Sequence, residues 1–506
     1  MYIPLDERPC NYRYPAMIYS ISGNQLFLPP LYLLGYKKRA ADVSGLRTWI
    51  LDNLHGVEYL VLSIDMLVFG GILPSRIHHL SEEEMMSRLD FLKIIKDKYP
   101  YIKIFAFNLI TRVPEYNSSD EEPDYYEDYG EQIYKLGYLS DKMELNLLNI
   151  DGQKELAAVE KSIPEAIRND YLCRREKNHQ LNQKAVQLVG EEVIDFLIFP
   201  MDDNSEYGFS TRERRKLMEL VAENKLFDKI YSYPGADEVG SVLTIRAFFE
   251  QRNYHPTIFT RYSSEKGKNL IPSLEDRSLE QTVKYQIITA GGILVDNNLE
   301  ADFVLMVNTP TETTLGKEGA WDSIFNKGIV IDSHRNLHEF VTVIKYYLSR
   351  NIKIAVADVA VLNGSDGQLM HLMKMNDLLP GLISYGGWNT SSNTLGTVIA
   401  HASMLTYFQT EGNVYSAEQR ENSYKFLFLR YLEDWGYQYY IRAELTKKLA
   451  DYGLDYFDLK DKGDMVAELV YMKLNDFAEE YLKDFNYDFK VTMPWNRMFE
   501  TEIIIK

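Results

Sequence analysis

The chain has 506 residues, 45% of them hydrophobic and 25% charged, with a net charge of −19. That length suits one large α/β domain with an appendage and excludes a single small domain. The acidic balance repels nucleic acid and anionic lipid, so neither is expected as a partner, and only two cysteines, Cys10 and Cys173, exclude a disulfide framework and a cysteine-only zinc site.

The first residues, MYIPLDERPC, contain no basic stretch and no long apolar run, so no signal peptide is expected. No apolar run reaches the ~18–20 residues needed to span a bilayer. A cytoplasmic location follows as the default.

One local pattern then repeats along the chain. A short apolar run ends in a polar cluster containing Gly or Pro, and a helix-like stretch comes next. The runs with their clusters are Met1–Pro9, Tyr59–Gly71, Ile102–Pro114, Asp195–Asn204, Lys229–Gly240, Thr257–Ser264, Asp302–Pro310, Ile352–Gly364 and Gly381–Asn393. Continuous Val/Ile/Leu/Phe runs read as strands buried on both faces, hence parallel strands. Helices are expected at Ser81–Lys98, with Ser81 and Glu84 as a capping box, at Thr211–Asn224, with Ser210 or Thr211 as cap, and at Leu337–Arg350.

Strands alternating with helices give an α/β fold with a parallel sheet. The favoured architecture is a (β/α)8-type barrel-like sheet with an extra strand unit, spanning 1–400; two doubly wound sheets are the alternative. Segment 115–190 opens with the acidic, Tyr-rich run DEEPDYYEDYGEQIY and reads as an excursion over the barrel mouth. Residues 401–506 read as a mainly helical C-terminal domain ending in a short strand-like stretch.

Polar residues gather just beyond the apolar runs. Asp6 and Arg8, between Pro4 and Pro9, are either a structural pair or a hydroxyl clamp. Asp65 lies in an apolar run and needs a partner, because burying a carboxylate alone is very costly; Arg76 or Arg8 could supply it. Asn108 and Arg112 follow the third run, where an arginine orients a carboxylate or holds an anionic group. Asp202 and Asp203 follow the fourth. Side by side, their like charges raise one pKa, which is how a general acid stays protonated near neutral pH. Asp237 and Glu238 repeat the arrangement after the fifth run. Asp358, Asn363 and Asp366 follow the eighth. Trp388, Asn389 and Asn393 follow the ninth, where an exposed indole flanked by amides would suit a sugar ring.

Several chemistries lack their motifs. There is no G-x-x-x-x-G-K-[ST], no G-x-G-x-x-G after a strand, no G-x-S-x-G and no H-E-x-x-H. No cofactor and no tightly bound transition metal are expected. Oxygen-only Mg²⁺ or Mn²⁺ binding by Asp6, Asp65, Asp202 and Asp237 stays open.

The set PLDERPCN, SIDMLVFGGILPSR, MDDNSEYG, YPGADEVGSVLTIR, ADVAVLNGSD, YGGWNTSSNTLGT and PWNRMFE resembles, over nearly the whole chain, a bacterial family catalogued as domain of unknown function 4127. That resemblance implies no activity. Locally, Phe196–Asp203 resembles the fourth strand of O-GlcNAcase-type β-N-acetylglucosaminidases. There the first Asp orients the substrate acetamide and the second is the general acid/base, which implies those roles for Asp202 and Asp203. PGADEV is similar to the GGDEV motif of chitobiase-type hexosaminidases, which implies Asp237 as the orienting residue and Glu238 as the acid. Neither family carries both pairs, and Ala236 stands here in place of a Gly, so the acid is open between Asp203 and Glu238.

The leading expectation is a glycoside hydrolase acting on a small glycoside, an N-acetylhexosaminide, by substrate-assisted retaining hydrolysis. The catalytic set is Asp202, Asp203, Asp237 and Glu238. The substrate-binding set is Asp6, Arg8, Asp65, Asn108, Arg112, Trp388, Asn389 and Asn393. A Mg²⁺/Mn²⁺-dependent sugar-acid isomerase or lyase and a non-catalytic sugar-binding protein are the alternatives. The expected partner is a small carbohydrate, with a homo-oligomer left open.

Overall fold

A computed structural model describes residues 1–311, 335–410 and 415–506. Its backbone is mixed α/β, and both main sheets are parallel. The first sheet contains β1 (Tyr2–Ile3), β2 (Tyr59–Ser63), β3 (Lys103–Phe107), β4 (Phe196–Met201) and β5 (Ile230–Pro234). The second contains β6 (Thr257–Tyr262), β7 (Ile293–Leu294), β8 (Phe303–Asn308), β9 (Ile354–Asp358) and β10 (Ser384–Gly386). The expected parallel α/β architecture is therefore present, with its strands gathered into two five-stranded sheets.

The chain divides into two compact units. The first is 1–7, 27–240 and 274–276; the second is 8–26, 241–273 and 277–506. The helices after 401 belong to the second unit together with its sheet.

In the first unit the strand order is β1-β2-β3-β4-β5, each strand beside its sequence neighbour, as along the wall of a (β/α) barrel. Leu62 pairs with Ala106, Ala106 with Leu197, and Phe199 with Ser232. Every residue of β4 is buried, which its run of apolar side chains makes favourable. Pro200 has no N–H to offer a neighbouring strand. The β3–β4 ladder accordingly ends at Phe107 and Ile198, and the Pro200 carbonyl accepts from the Ile110 N–H at 3.0 Å. β4 stays paired with β5 as far as Met201, which also bridges Ile110, and beyond these points the two chains run on as loops that carry polar side chains.

Helices fill the connections. Ser81 caps the first of two consecutive helices, Glu82–Leu89 and Phe91–Lys98, by accepting from the Glu84 N–H at 3.1 Å. Helix Phe209–Glu223 begins earlier than expected. Its N-cap is Gly208, at φ 140°, and not Ser210 or Thr211. Those two hydroxyls instead donate to the carbonyls of Thr111 and Ser205 at 2.8 and 2.6 Å. The excursion after β3 contains helices Tyr126–Glu144, Ile150–Ser162 and Glu165–Gly190.

The short segment 274–276 is also part of the first unit. The Leu274 carbonyl accepts from the Asn204 N–H at 3.0 Å, and Asp276 pairs with Arg214 at 3.2 Å.

In the second unit the order is β10-β9-β8-β6-β7. β8 and β9 are wholly buried, whereas β7 is a two-residue exposed edge. Helix Leu337–Ser349 precedes β9, and helix Ser391–Phe408 follows β10. Helix Ala417–Arg430 continues as a wide π-helical stretch, Tyr431–Ile441. The C-terminal strand-like run is paired: β11 (Phe489–Thr492) lies antiparallel to β12 (Glu502–Ile505). Among the described residues no helix is long and apolar enough to cross a membrane.

Gly130 fixes how closely helix Tyr126–Glu144 approaches the segment after β3. A Cβ there would lie 2.5 Å from the Tyr116 carbonyl oxygen, and backbone cannot give way cheaply. Gly130→Ala should therefore destabilise the protein by roughly 1–3 kcal/mol, the usual cost of overpacking, read as a lower urea midpoint at unchanged m-value.

Candidate active site

The loops at the C-terminal ends of β2, β3 and β4 carry most of the charged side chains the sequence singles out in the first unit. Ser63 ends β2 and caps the short helix Ile64–Val68, accepting from the Met66 N–H at 3.2 Å. This places Asp65 in the first helical turn, where its Oδ2 accepts from the Leu109 N–H at 2.9 Å. Asp65 thereby ties the end of β2 to the loop after β3. Asn108, directly beyond β3, donates to Asn182 at 2.5 Å.

Two arginines organise the loop after β4. Arg76 reaches Asp202 Oδ2 at 2.5 Å, and Glu121 and Glu122 at 3.1 Å each. Arg112 reaches Glu121 at 2.7 Å, Glu122 at 2.9 Å and Asp203 Oδ2 at 2.9 Å. Glu122 Oε1 is shared by both guanidiniums. The Asp203 N–H donates to Asp202 Oδ1 at 3.0 Å. Two cations thus hold four carboxylates in one hydrogen-bonded network.

Exposure ranks the members. The Arg76 side chain is 3% exposed and Glu122 4%, while Asp203 is 28% exposed. Asp203 is the carboxylate of the network that a substrate can reach most easily. Burial first, and then the Asp202 charge, push Asp203 up to about 6, against the opposing pull of Arg112 and Arg76. Burial works against the charge of Arg112, but Tyr116 and the surrounding carboxylates outweigh it and hold the guanidinium cationic. Burial also pushes Tyr116 up to about 12. Asp65 is pushed up to about 7, again by burial, and Asp202 contributes to the rise.

Two buried side-chain oxygens near this chain segment, Asn108 Oδ1 and Asn204 Oδ1, have no hydrogen-bond partner among the described residues. Such groups favour a polar ligand or water. Among the described residues no group of three His, Cys, Asp or Glu side chains is arranged to hold a metal ion.

The other expected residues lie elsewhere along the chain. Asp6 is buried just beyond β1. Asp237 is half-buried and Glu238 buried beyond β5, where the Gly235 N–H donates to the Met201 carbonyl at 2.9 Å. Arg8 belongs to the second unit, where it caps helix Pro9–Ser20 and lies 4.8 Å over the Trp495 ring. Asp65 takes its direct hydrogen bond from backbone, and the ion pairs of Arg76 go to other carboxylates.

Trp388, Asn389 and Asn393 lie in the second unit beyond β10. Trp388 is not an exposed platform: it is 6% exposed, with its ring 5.9 Å from that of Phe499. The indole is packed into the hydrophobic core of the second unit instead of being displayed. Asn389, at φ 71°, accepts from the Thr390 N–H, and Thr390 caps helix Ser391–Phe408, bonding the Asn393 N–H.

A second set of buried carboxylates occupies that unit. Asp358 accepts from Asn308 at 2.8 Å, from the Asp366 N–H at 2.7 Å and from the Tyr385 hydroxyl at 3.2 Å. Arg335 pairs with Asp366 at 2.5 Å. Burial, then Asp366, push Asp358 up to about 7. Asp434, held by Arg430 and the Gly387 N–H, is likewise raised to about 7, by burial first.

Glu121 and Glu122 are the members of the network that sequence reasoning missed. They sit in the acidic run read as an excursion. No local signal separates them from the rest of that run, since a stretch of acids ordinarily reads as a solvated surface.

Residues 1–504 match the family described as protein of unknown function, DUF4127. The chain belongs to this family. No curated protein and no solved structure matches it.

Arg112 touches three of the four network carboxylates. Arg112→Gln leaves them without that cation, and breaking a buried pair by removing one partner typically costs about 3–5 kcal/mol; equilibrium denaturation should show a loss of that order. Asp65 yields a pH signature. Its folded value is raised from 3.8 to about 7, so the native state holds the proton more tightly than the unfolded chain does. The stabilisation is complete below pH 3.8 and disappears as pH rises through about 7. Asp65→Asn should therefore lose less stability than wild type across that window, measured as urea midpoints at stepped pH.

Proposed function

We propose that this protein is a glycoside hydrolase acting on a small N-acetylhexosaminide, with the substrate's own acetamide as nucleophile. The observation that carries the reading is the unequal Asp202–Asp203 pair. Asp203, the more exposed, is raised to about 6, while Asp202 lies against Arg76. One carboxyl can then carry a proton while its neighbour is engaged by a guanidinium, an arrangement suited to general acid catalysis.

Adjacent carboxylates at one strand end lie on the same side of a sugar. They cannot straddle the anomeric carbon at the ~5–5.5 Å a separate nucleophile and acid need. In the substrate-assisted route the acetamide oxygen attacks the anomeric carbon. Asp202 accepts the acetamide N–H, and Asp203 gives its proton to the departing glycosidic oxygen. Asp203, now ionised, takes a proton from the water that opens the cyclised intermediate. Arg76 and Arg112 keep both carboxylates oriented throughout. The same guanidiniums occupy carboxylate oxygens that a divalent cation would need, which disfavours the sugar-acid isomerase or lyase alternative. Asp237 and Glu238, in the loop beyond β5, would shape the far side of the sugar pocket.

The test is kinetic. Asp203→Asn should lower turnover by ~10²–10⁴, and by less on an aryl glycoside whose leaving group departs without a proton. Asp202→Asn should slow every N-acetyl substrate alike. In wild type, kcat/KM should fall as pH rises through about 6, where Asp203 loses its proton. Binding without turnover across aryl hexosides and N-acetylhexosaminides would replace this reading with a sugar-binding protein. Unchanged rates in both variants would move the acid to Glu238.

A further inference from the structure

We propose that the first unit contains a second binding site, between helix Val43–Asn53 and the helices Glu82–Leu89 and Phe91–Lys98, for a small molecule carrying an anionic group on an apolar body, such as a phosphate monoester. The groove there has a volume of about 350 Å³ and is lined by Ser44, Arg47, Thr48, Arg88, Phe91 and Ile94, among others. That volume is at the small end of ligand-sized pockets. None of these residues takes part in the Arg76–Arg112 network, so the inference stands apart from the hydrolase reading.

Charge singles the groove out. Arg47 lies 4.6 Å over the Phe91 ring, and among the described residues no carboxylate or carbonyl accepts a hydrogen bond from it. Arg88 lines the same groove, donating to the Val68 carbonyl at 2.5 Å and pairing with Glu84 at 2.6 Å. Of these two neighbouring guanidiniums, among the described residues, only that of Arg88 is paired with an acid, in a chain whose net charge is −19. Partial burial, and then repulsion from Arg88, make Arg47 less ready to hold its charge than an isolated arginine. An anion between the two relieves that repulsion and can accept from both guanidiniums at once.

Stacking on Phe91 orients the Arg47 guanidinium and leaves its edge N–H groups for an acceptor. The Ser44 and Thr48 hydroxyls line the same groove; that of Thr48 already donates to the Ser44 carbonyl at 3.1 Å. The apolar half comes from Phe91, Leu51 and the exposed Ile94. A simple inorganic anion would use only the arginines, whereas a phosphate on a ring would use both halves.

The experiment titrates the full-length protein with phenyl phosphate, and separately with inorganic phosphate, by isothermal calorimetry at low and moderate salt. Phenyl phosphate should bind with one-to-one stoichiometry, at least about tenfold more tightly than inorganic phosphate, and weaken with salt. Arg47→Gln should weaken it at least about tenfold with unchanged urea midpoint. Arg47→Lys should recover part of the loss. Asp203→Asn should leave binding intact, whatever it does to catalysis. No binding by wild type, equal binding by Arg47→Gln, or equal affinity for the two ligands would overturn the proposal.

Discussion

Two guanidiniums holding four carboxylates beyond β4 are the constraint on which the first unit's architecture turns. A lone buried charge is prohibitively costly, and a buried pair is tolerable only when its remaining lone pairs and protons are met. Asp202 and Asp203 cannot neutralise both arginines while leaving one carboxyl free to hold a proton. The further acids come from the segment between β3 and helix Tyr126–Glu144, which must fold inward to deliver Glu121 and Glu122. Its course is held from behind. The Tyr126 hydroxyl donates to the Pro114 carbonyl at 2.8 Å, and Gly130 lets the helix approach the Tyr116 backbone. What looks like an insertion is thus electrostatic scaffolding for the strand-end acids.

The second unit solves a similar problem with different parts. Asp358 at the end of β9 and Asp366 just beyond it are met by an asparagine, a tyrosine and one arginine. Asp358 and Asp434 are both raised to about 7 by burial, so near neutrality protons replace part of the missing positive charge. In the first unit two guanidiniums supply most of that charge, although Asp203 and Asp65 are raised there as well. Proton sharing makes the local charge depend on pH.

Much of the fold was legible because parallel strands buried on both faces leave unbroken apolar runs. FLIFPM and FVLMVN, the β4 and β8 sequences, could hardly be anything else at that length. Strand β7 escaped notice because two exposed residues carry no pattern. Helix Phe209–Glu223 was misread at its start because Ser210 and Thr211 look like caps, yet their hydroxyls serve the loops at Thr111 and Ser205. Of the candidate site, the acids and Arg112 were visible as strand-end residues. Glu121 and Glu122 were not, because a run of acids is ordinarily a solvated surface and nothing local reveals that two of them turn inward. Trp388 failed in the opposite sense: Gly and Asn around an indole suggested a loop open to solvent, but the ring turns into the core.

The division of the chain bears on how it can be made. The first unit is not one continuous stretch, for it takes in Leu274–Asp276 after the chain has already built β6. Those residues give Asn204, the neighbour of Asp203, its backbone acceptor, and give Arg214 its acid. During synthesis, which delivers the N-terminal part first, the loop that holds the Asp202–Asp203 pair stays unfinished until residue 276 has emerged. A ribosome-bound chain ending at Gly240 contains every carboxylate of the network but lacks the strap that closes the loop behind it. Competence at this site is therefore deferred past the midpoint of synthesis, although nearly all of its residues are translated in the first half.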